Sequence, residues 1–228
     1  MKKILALATV AAFCVAQPAL AKDTGFYVGV DVGTASADID QSGLDSHLAN
    51  DLEDEFGVYL DGSSDVDDSD TTYGLTVGYR FMPYLAVEGQ YLDLGEAEYS
   101  ASFDVYDIAT DKFLGTGSGN ASVGSSGFGL SVLGILPVAE VWEFYARLGM
   151  YFGDTDADFS ISDDVEVILS GDESKSEEEL MYGIGAGYTF AETWNVRVEY
   201  TIIQDVGDED LVGESDVDRL VIGLNYRF

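Results

Sequence analysis

Cations are scarce in this chain: ten lysines and arginines stand against 43 aspartates and glutamates, for a net charge of −33 at pH 7. That balance excludes nucleic acid as a partner, because binding it depends on neutralising phosphates. Cysteine occurs once, at Cys14, and histidine once, at His47. Long apolar stretches are lacking too. A single predominantly apolar run, Ile4 to Ala16, follows Lys2 and Lys3, and Gln17 and Pro18 break it. It is too short for a comfortable transmembrane helix. Ala19 and Ala21 supply the small residues of a signal-peptidase site, so residues 1–21 are expected to be removed, with cleavage after Ala21. Cys14 leaves with that segment, and Phe13 stands where a lipoprotein site needs a small residue. The mature chain, 22–228, therefore has no disulfide, and its length implies one domain.

What the chain has is alternation. Eight segments each carry a large apolar face: Gly25–Ala35, Thr71–Phe81, Tyr84–Leu94, Val123–Leu136, Trp142–Phe152, Glu179–Phe190, Trp194–Ile203 and Asp216–Phe228. In the sixth, Leu180, Tyr182, Ile184, Ala186, Tyr188 and Phe190 alternate with Met181, Gly183, Gly185, Gly187 and Thr189. A period of two puts these sets on opposite faces of a strand. About ten residues per segment matches tilted strands crossing a bilayer.

The connections alternate as well. Met82-Pro83, Pro137–Val141 and Ala191–Thr193 are short, whereas the other four are long, acidic and rich in Gly and Ser. The acids concentrate in Asp38–Asp70, Asp104–Asp111, Asp154–Glu179 and Asp205–Asp218. Short turns on one side and long acidic loops on the other predict an all-β, closed antiparallel up-and-down barrel of eight strands, with both termini in the periplasm. Ala97–Tyr106 and Asp156–Val167 keep the period beyond membrane length, so some strands are expected to project as a ribbon.

A soluble barrel also has one apolar face, and the second face separates the two cases. Here it carries Gly, Thr, Ser and Asn with a few charges, and no strand interior holds a lysine. Aromatics stand near strand ends, among them Tyr73 and Phe81, Trp142 and Phe152, Tyr182 and Phe190, Trp194 and Tyr200. That is the pattern of the two interfacial girdles of a membrane barrel.

All five arginines fall on the inward parity, namely Arg80, Arg147, Arg197, Arg219 and Arg227, together with Asp31, Glu88, Glu143 and Glu199. Strand position sorts most of them into a periplasmic layer (Arg80, Glu143, Arg227) and a middle layer (Asp31, Glu88, Arg147, Arg197, Glu199). An eight-stranded barrel is just wide enough for side chains to fill it, so these charges must pair. Arginine suits that task because its planar fork can serve two carboxylates. Such a network reads either as a static polar plug or as a gated ion path.

Catalytic and metal constellations are weak. His47 with Ser46 lies in an acidic loop without a third partner, and no catalytic residue or cofactor is assigned. Asp61–Asp70 (DGSSDVDDSD) is rich in oxygen ligands but lacks the EF-hand order; it implies loosely bound divalent cations at most.

The final residues complete the pattern. Leu220, Ile222, Leu224, Tyr226 and Phe228 alternate with Val221, Gly223, Asn225 and Arg227. With the terminal GLNYRF, GFYVGVDVG at 25–33 and YLAVEGQYLDLG at 84–95, the chain resembles the small eight-stranded outer-membrane barrels of the OmpA/OmpX type. The resemblance implies a Gram-negative outer-membrane location and contact with outer-membrane lipid and lipopolysaccharide. It also implies reading of that C-terminal strand by the barrel-assembly machinery, after periplasmic chaperones. OmpA proteins carry a peptidoglycan-binding domain after the barrel, and the resemblance here covers the barrel alone. The family includes adhesins, structural proteins and narrow porin-like pores. The expected function is a structural or surface-interaction role through acidic external loops, with an unidentified extracellular ligand. The alternatives are a narrow gated ion channel through the Arg/Glu lumen and, third, a lipid-active enzyme.

Overall fold

The computed structural model describes residues 24–38, 58–163, 167–208 and 213–228, none of them helical. Its nine strands are β1 (Gly25–Ala37), β2 (Val58–Asp67), β3 (Ser69–Met82), β4 (Leu85–Asp107), β5 (Lys112–Val138), β6 (Trp142–Asp163), β7 (Val167–Phe190), β8 (Trp194–Asp208) and β9 (Gly213–Arg227). Eight of them close a ring in the cyclic order β1-β3-β4-β5-β6-β7-β8-β9, every neighbour antiparallel. The β1–β9 pairing, Val30 opposite Leu224, closes the ring and leaves the last strand no free edge. The turns at 83–84, 139–141 and 191–193 lie at one end, and hydrogen bonds such as Arg227 N to Thr193 O stitch them to neighbouring strands. The chain thus folds as the expected up-and-down barrel.

Side-chain exposure follows the alternation. Ile184, Leu130, Val77 and Val198 point outward and exposed, while their strand neighbours turn inward. An apolar band of this extent is incompatible with water and fits the hydrocarbon of a bilayer. Trp142 with Tyr188, Trp194 with Tyr226, and Tyr226 with Phe228 pack ring to ring at the turn end of that band.

The strands do not stop at the membrane. β5 runs for 27 residues and β7 for 24, more than twice a bilayer crossing of about ten. Here the structure corrects an expectation. Much of the acidic stretch 61–70, read from its composition as loop, is strand β2, which continues the line of β3 and pairs with β4 from Val58 opposite Asp107 to Asp67 opposite Glu98. Its aspartates stand at alternate positions, so one solvated face takes all the charge while the backbone stays in the ladder. β4 and β5 are joined by a hairpin tip at 108–111 rather than by a long loop. β6 and β7 carry the ribbon outward through residues 154–163 and 167–178; residues 164–166 lie outside the described set.

Between barrel and ribbon, β4 slips its register between Asp93 and Glu96. Gly95 sits in this bulge at φ +80°, where a side chain would be strained, and a Cβ there would lie 2.7 Å from Asp70. The Asp70 carboxylate accepts from Thr71 N (2.6 Å) and Glu96 N (3.1 Å), tying β3 to β4 at the same level. The bulge reverses parity on β4: even-numbered residues face the lumen below it and outward above it.

Candidate functional site

Three layers of charge stack in the lumen. At the periplasmic end, Arg80 donates to Glu143 Oε2 (2.8 Å) and Arg227 to Glu143 Oε1 (2.8 Å), with Asn195 Nδ2 on the same oxygen at 3.2 Å. Arg80 also donates to Pro83 O in the first turn, at 2.5 Å. Among the described residues its buried Nε has no acceptor.

The middle layer is the densest. Arg147 forks onto Glu199 through Nε and Nη2, both at 2.9 Å, and the same Nη2 reaches Glu88 at 2.5 Å. Its Nη1 donates to Gln90 and Ser131, so the guanidinium is fully engaged. Arg197 donates to Glu88 Oε1 at 2.6 Å and to Asn195 Oδ1 at 3.2 Å. All four charged groups are buried. Burial of this kind is tolerable only when pairs and hydrogen bonds satisfy every group.

Two tyrosines complete this layer. Tyr27 OH donates to Glu88 at 2.5 Å and Tyr145 OH to Glu199 at 2.7 Å. The Arg197 guanidinium lies between their rings, 5.1 Å from one centroid and 5.0 Å from the other. Room for the rings comes from glycines directly across the ladder, Gly78 opposite Tyr27 and Gly185 opposite Tyr145. A Cβ on either would lie 2.1 or 2.3 Å from the ring, so no larger residue fits there without displacing the tyrosine.

Above lies a third pair, Arg219 with Asp31, and Arg219 Nε also donates to Thr72 at 2.9 Å. This revises one placement: Asp31, grouped by height with Arg147 and Arg197, takes its ion pair from Arg219 on β9. Parity predicts the face but not which of several arginines at similar height reaches across; that depends on the stagger between strands.

The interior is also more apolar than the alternation implied. Leu92, Leu94, Tyr151, Met181, Ile203, Val206 and Val217 form a buried cluster at the external end of the lumen, with Ala35. A second cluster, Tyr27, Ala86, Leu133, Ile135 and Tyr145, fills the side of the lower lumen. Within the network a cavity of about 20 Å³ is lined by Asp31, Gln90, Arg147, Arg197, Glu199 and Asn225, among others. That volume holds about one water.

The C-terminal set lies outward on β9. Leu220, Ile222, Leu224 and Phe228 are exposed toward lipid, and Tyr226 packs 5.0 Å from both Trp194 and Phe228. Ala19, Ala21 and His47 lie outside the described residues. No group of three or more carboxylates among the described residues converges as a metal set.

The family described as outer membrane protein beta-barrel domain matches residues 5–228. The chain belongs to that family. It is 27% identical over 156 residues to outer membrane protein A of Yersinia pseudotuberculosis, covering 68% of this chain and 39% of that protein. The same protein of Serratia marcescens is 24% identical over 156 residues, covering 68% and 38%. The chain thus spans about two-fifths of the curated relatives it matches. Neisserial surface protein A shares the fold at a TM-score of 0.52 and 13% identity, with 90% of this chain and 97% of that one covered. This is an integral β-barrel protein of the bacterial outer membrane.

Sequence reasoning missed Tyr27, Tyr145, Gln90, Ser131 and Asn195. The tyrosines did leave a signal: each stands on the inward parity of a strand whose neighbour supplies a glycine. That signal is readable only once the strand registers are known.

Proposed function

We propose that this barrel is a sealed outer-membrane anchor that carries a rigid, acidic sheet beyond the membrane for surface interaction. The observation that carries the reading is the pairing, among the described residues, of all four lumen carboxylates beneath an apolar cap. Arg80, Arg147, Arg197, Arg219 and Arg227 serve Glu143, Glu88, Glu199 and Asp31. Leu92, Met181 and Ile203 close the external side. A pore needs a wet path, and a buried charge lattice capped by hydrocarbon opposes one. In this reading the protein performs no chemistry, and outer-membrane lipid and lipopolysaccharide surround its apolar band.

The reading includes two roles at the chain's ends. Residues 1–21 act as a signal peptide cut after Ala21, with Ala19 and Ala21 as the small residues just before the cut. Leu220, Ile222, Leu224, Tyr226 and Phe228 act as the assembly signal for the barrel-assembly machinery. Replacing Phe228 by Ser is expected to lower the folded, heat-modifiable yield in the outer membrane, and an unchanged yield would remove that role.

The second reading is a narrow gated channel. Its supporting observation is that Arg80 and Arg227 share Glu143, which offers a second partner for exchange. Planar-bilayer recording separates the two. The sealed anchor gives no unitary current, whereas discrete single-channel steps from the wild-type barrel favour the channel.

A further inference from the structure

Beyond the membrane, β2, β4, β5 and β6 form one sheet with two unlike faces. One face buries Ala101, Phe103 and Ala157. The other continues the lipid-facing side of β5 and is polar and exposed. Across it, Asp65 and Asp67 on β2 stand beside Ser100 and Glu98 on β4, which stand beside Asn120 and Ser122 on β5, with Asp158 on β6. These side chains line a groove of about 750 Å³.

The same face ends in an aromatic row. Tyr59, Tyr106 and Phe113 are cross-strand neighbours on β2, β4 and β5. The two tyrosines stack at 5.1 Å, and Phe113 meets Tyr106 edge-on at 5.6 Å. Phe113 and Leu114 are half exposed, at 50% and 52%, at the point of the sheet farthest from the lipid band. An exposed aromatic group in water, held in place by strand pairing, marks a contact surface. Tyr59 OH also donates to Asp111 at 2.5 Å, and that bond pushes its phenol up to about 12.

Charge decides what such a face accepts. The arginines are all committed within the lumen, and the projecting strands carry two lysines, Lys112 and Lys175. A sulfated or phosphorylated partner would find carboxylates and almost no cation. A cationic partner would find carboxylates for its charges and π-faces for lysine or arginine.

We propose that this outward face of the projecting sheet docks a cationic polypeptide segment, rich in lysine or arginine. Its charges pair with Asp65, Asp67, Glu98 and Asp158, and its outer end is anchored on Tyr59, Tyr106 and Phe113. From Tyr59 to Asp67 the strand spans roughly 26 Å at about 3.3 Å per residue, so an extended segment of about eight residues engages both parts. The proposal rests on the surface-interaction reading and gives its partner a chemistry.

The test uses the full barrel in lipid nanodiscs with fluorescein-labelled octa-lysine as the probe and octa-glutamate as the control, read by anisotropy. Octa-lysine binds and octa-glutamate does not. Changing Asp65, Asp67 and Asp158 to Asn and Glu98 to Gln weakens binding at least about tenfold, as the loss of several charge pairs requires. Tyr59→Ala with Phe113→Ala weakens it about threefold, the size of exposed cation–π contacts. Neutralising the same number of acids off this face, at Asp38, Asp205, Asp216 and Asp218, changes it little. If a variant fails to fold, hydrogen exchange on the wild type decides: octa-lysine protects amides of the projecting parts of β2, β4, β5 and β6 and none within the lipid band. Equal loss in both neutralised sets would reduce the effect to net charge and overturn the proposal. So would no octa-lysine binding, or a neutral oligosaccharide occupying the face instead. Conductance failing the sealed-anchor reading leaves this binding test independent.

Discussion

The barrel and the sheet above it are made from the same strands with opposite solvent logic. Along β5, Phe128, Leu130 and Val132 face outward into lipid, while Gly129, Ser131 and Leu133 face the lumen. Ten residues higher, Ser118, Asn120 and Ser122 stand on that same outward side, and the other side carries Gly117, Gly119 and Ala121. Backbone geometry and parity are unchanged along β5, and only the medium differs. Hydrocarbon demands apolar side chains outside and forces charge inward, where it must pair. Water reverses the demand, and outward-facing acids such as Asp104 and Asp154 take no more than a hydroxyl donor, from Thr116 and Ser176.

The comparison breaks hardest in the lumen. Arg147→Leu leaves Glu88 and Glu199 short of donors in a buried layer, so unfolding is expected to be easier by about 3–5 kcal/mol. Removing Glu199 as well should restore part of the loss, because the stranded carboxylate goes with it. Urea unfolding midpoints in lipid vesicles measure both variants. A cost for Arg147→Leu well below that range would mean water fills the layer.

A smaller effect sharpens the contrast between media. Leu130→Arg places a charge on the lipid face near the bilayer midplane and is expected to cost about 2–4 kcal/mol. Asn120→Arg, on the same strand and the same side, is expected to change stability by less than about 0.5 kcal/mol, as exposed substitutions do. Equal costs at the two positions would mean that the outward side of β5 meets a single medium.

Much of this was legible in the sequence. Eight alternating segments place the barrel strands because lipid tolerates no lapse on the outward face, and Arg80, Arg147, Arg197, Arg219 and Arg227 are inward by parity alone. The rest depended on distances that parity does not contain. Tyr27 and Tyr145 are set by cross-strand partners, Gly78 and Gly185, and Asp31 by the stagger that brings Arg219 to it. β2 was obscured because aspartate-rich composition suggests loop, although a water-facing strand can hold an acid at every second residue. The cap of Leu92, Leu94 and Met181 was obscured differently. On β4 Leu92 and Leu94 share the inward parity of Glu88 and Gln90, and an apolar pair there reads as lipid-facing when only one apolar face is expected.

The most direct test of the two-medium account is cysteine scanning along β5, at Ser118, Asn120, Ser122, Ser126, Phe128, Leu130 and Val132. Each single variant, free of Cys14, is labelled in lipid vesicles with a membrane-impermeant maleimide and with an environment-sensitive dye that lipid-phase quenchers reach. The account predicts rapid aqueous labelling without lipid quenching from Ser118 to Ser122, and the reverse from Phe128 to Val132. The boundary should fall near Ser126, level with the β4 register slip at Asp93. Uniform aqueous labelling along the strand, or lipid quenching at Asn120, would contradict it.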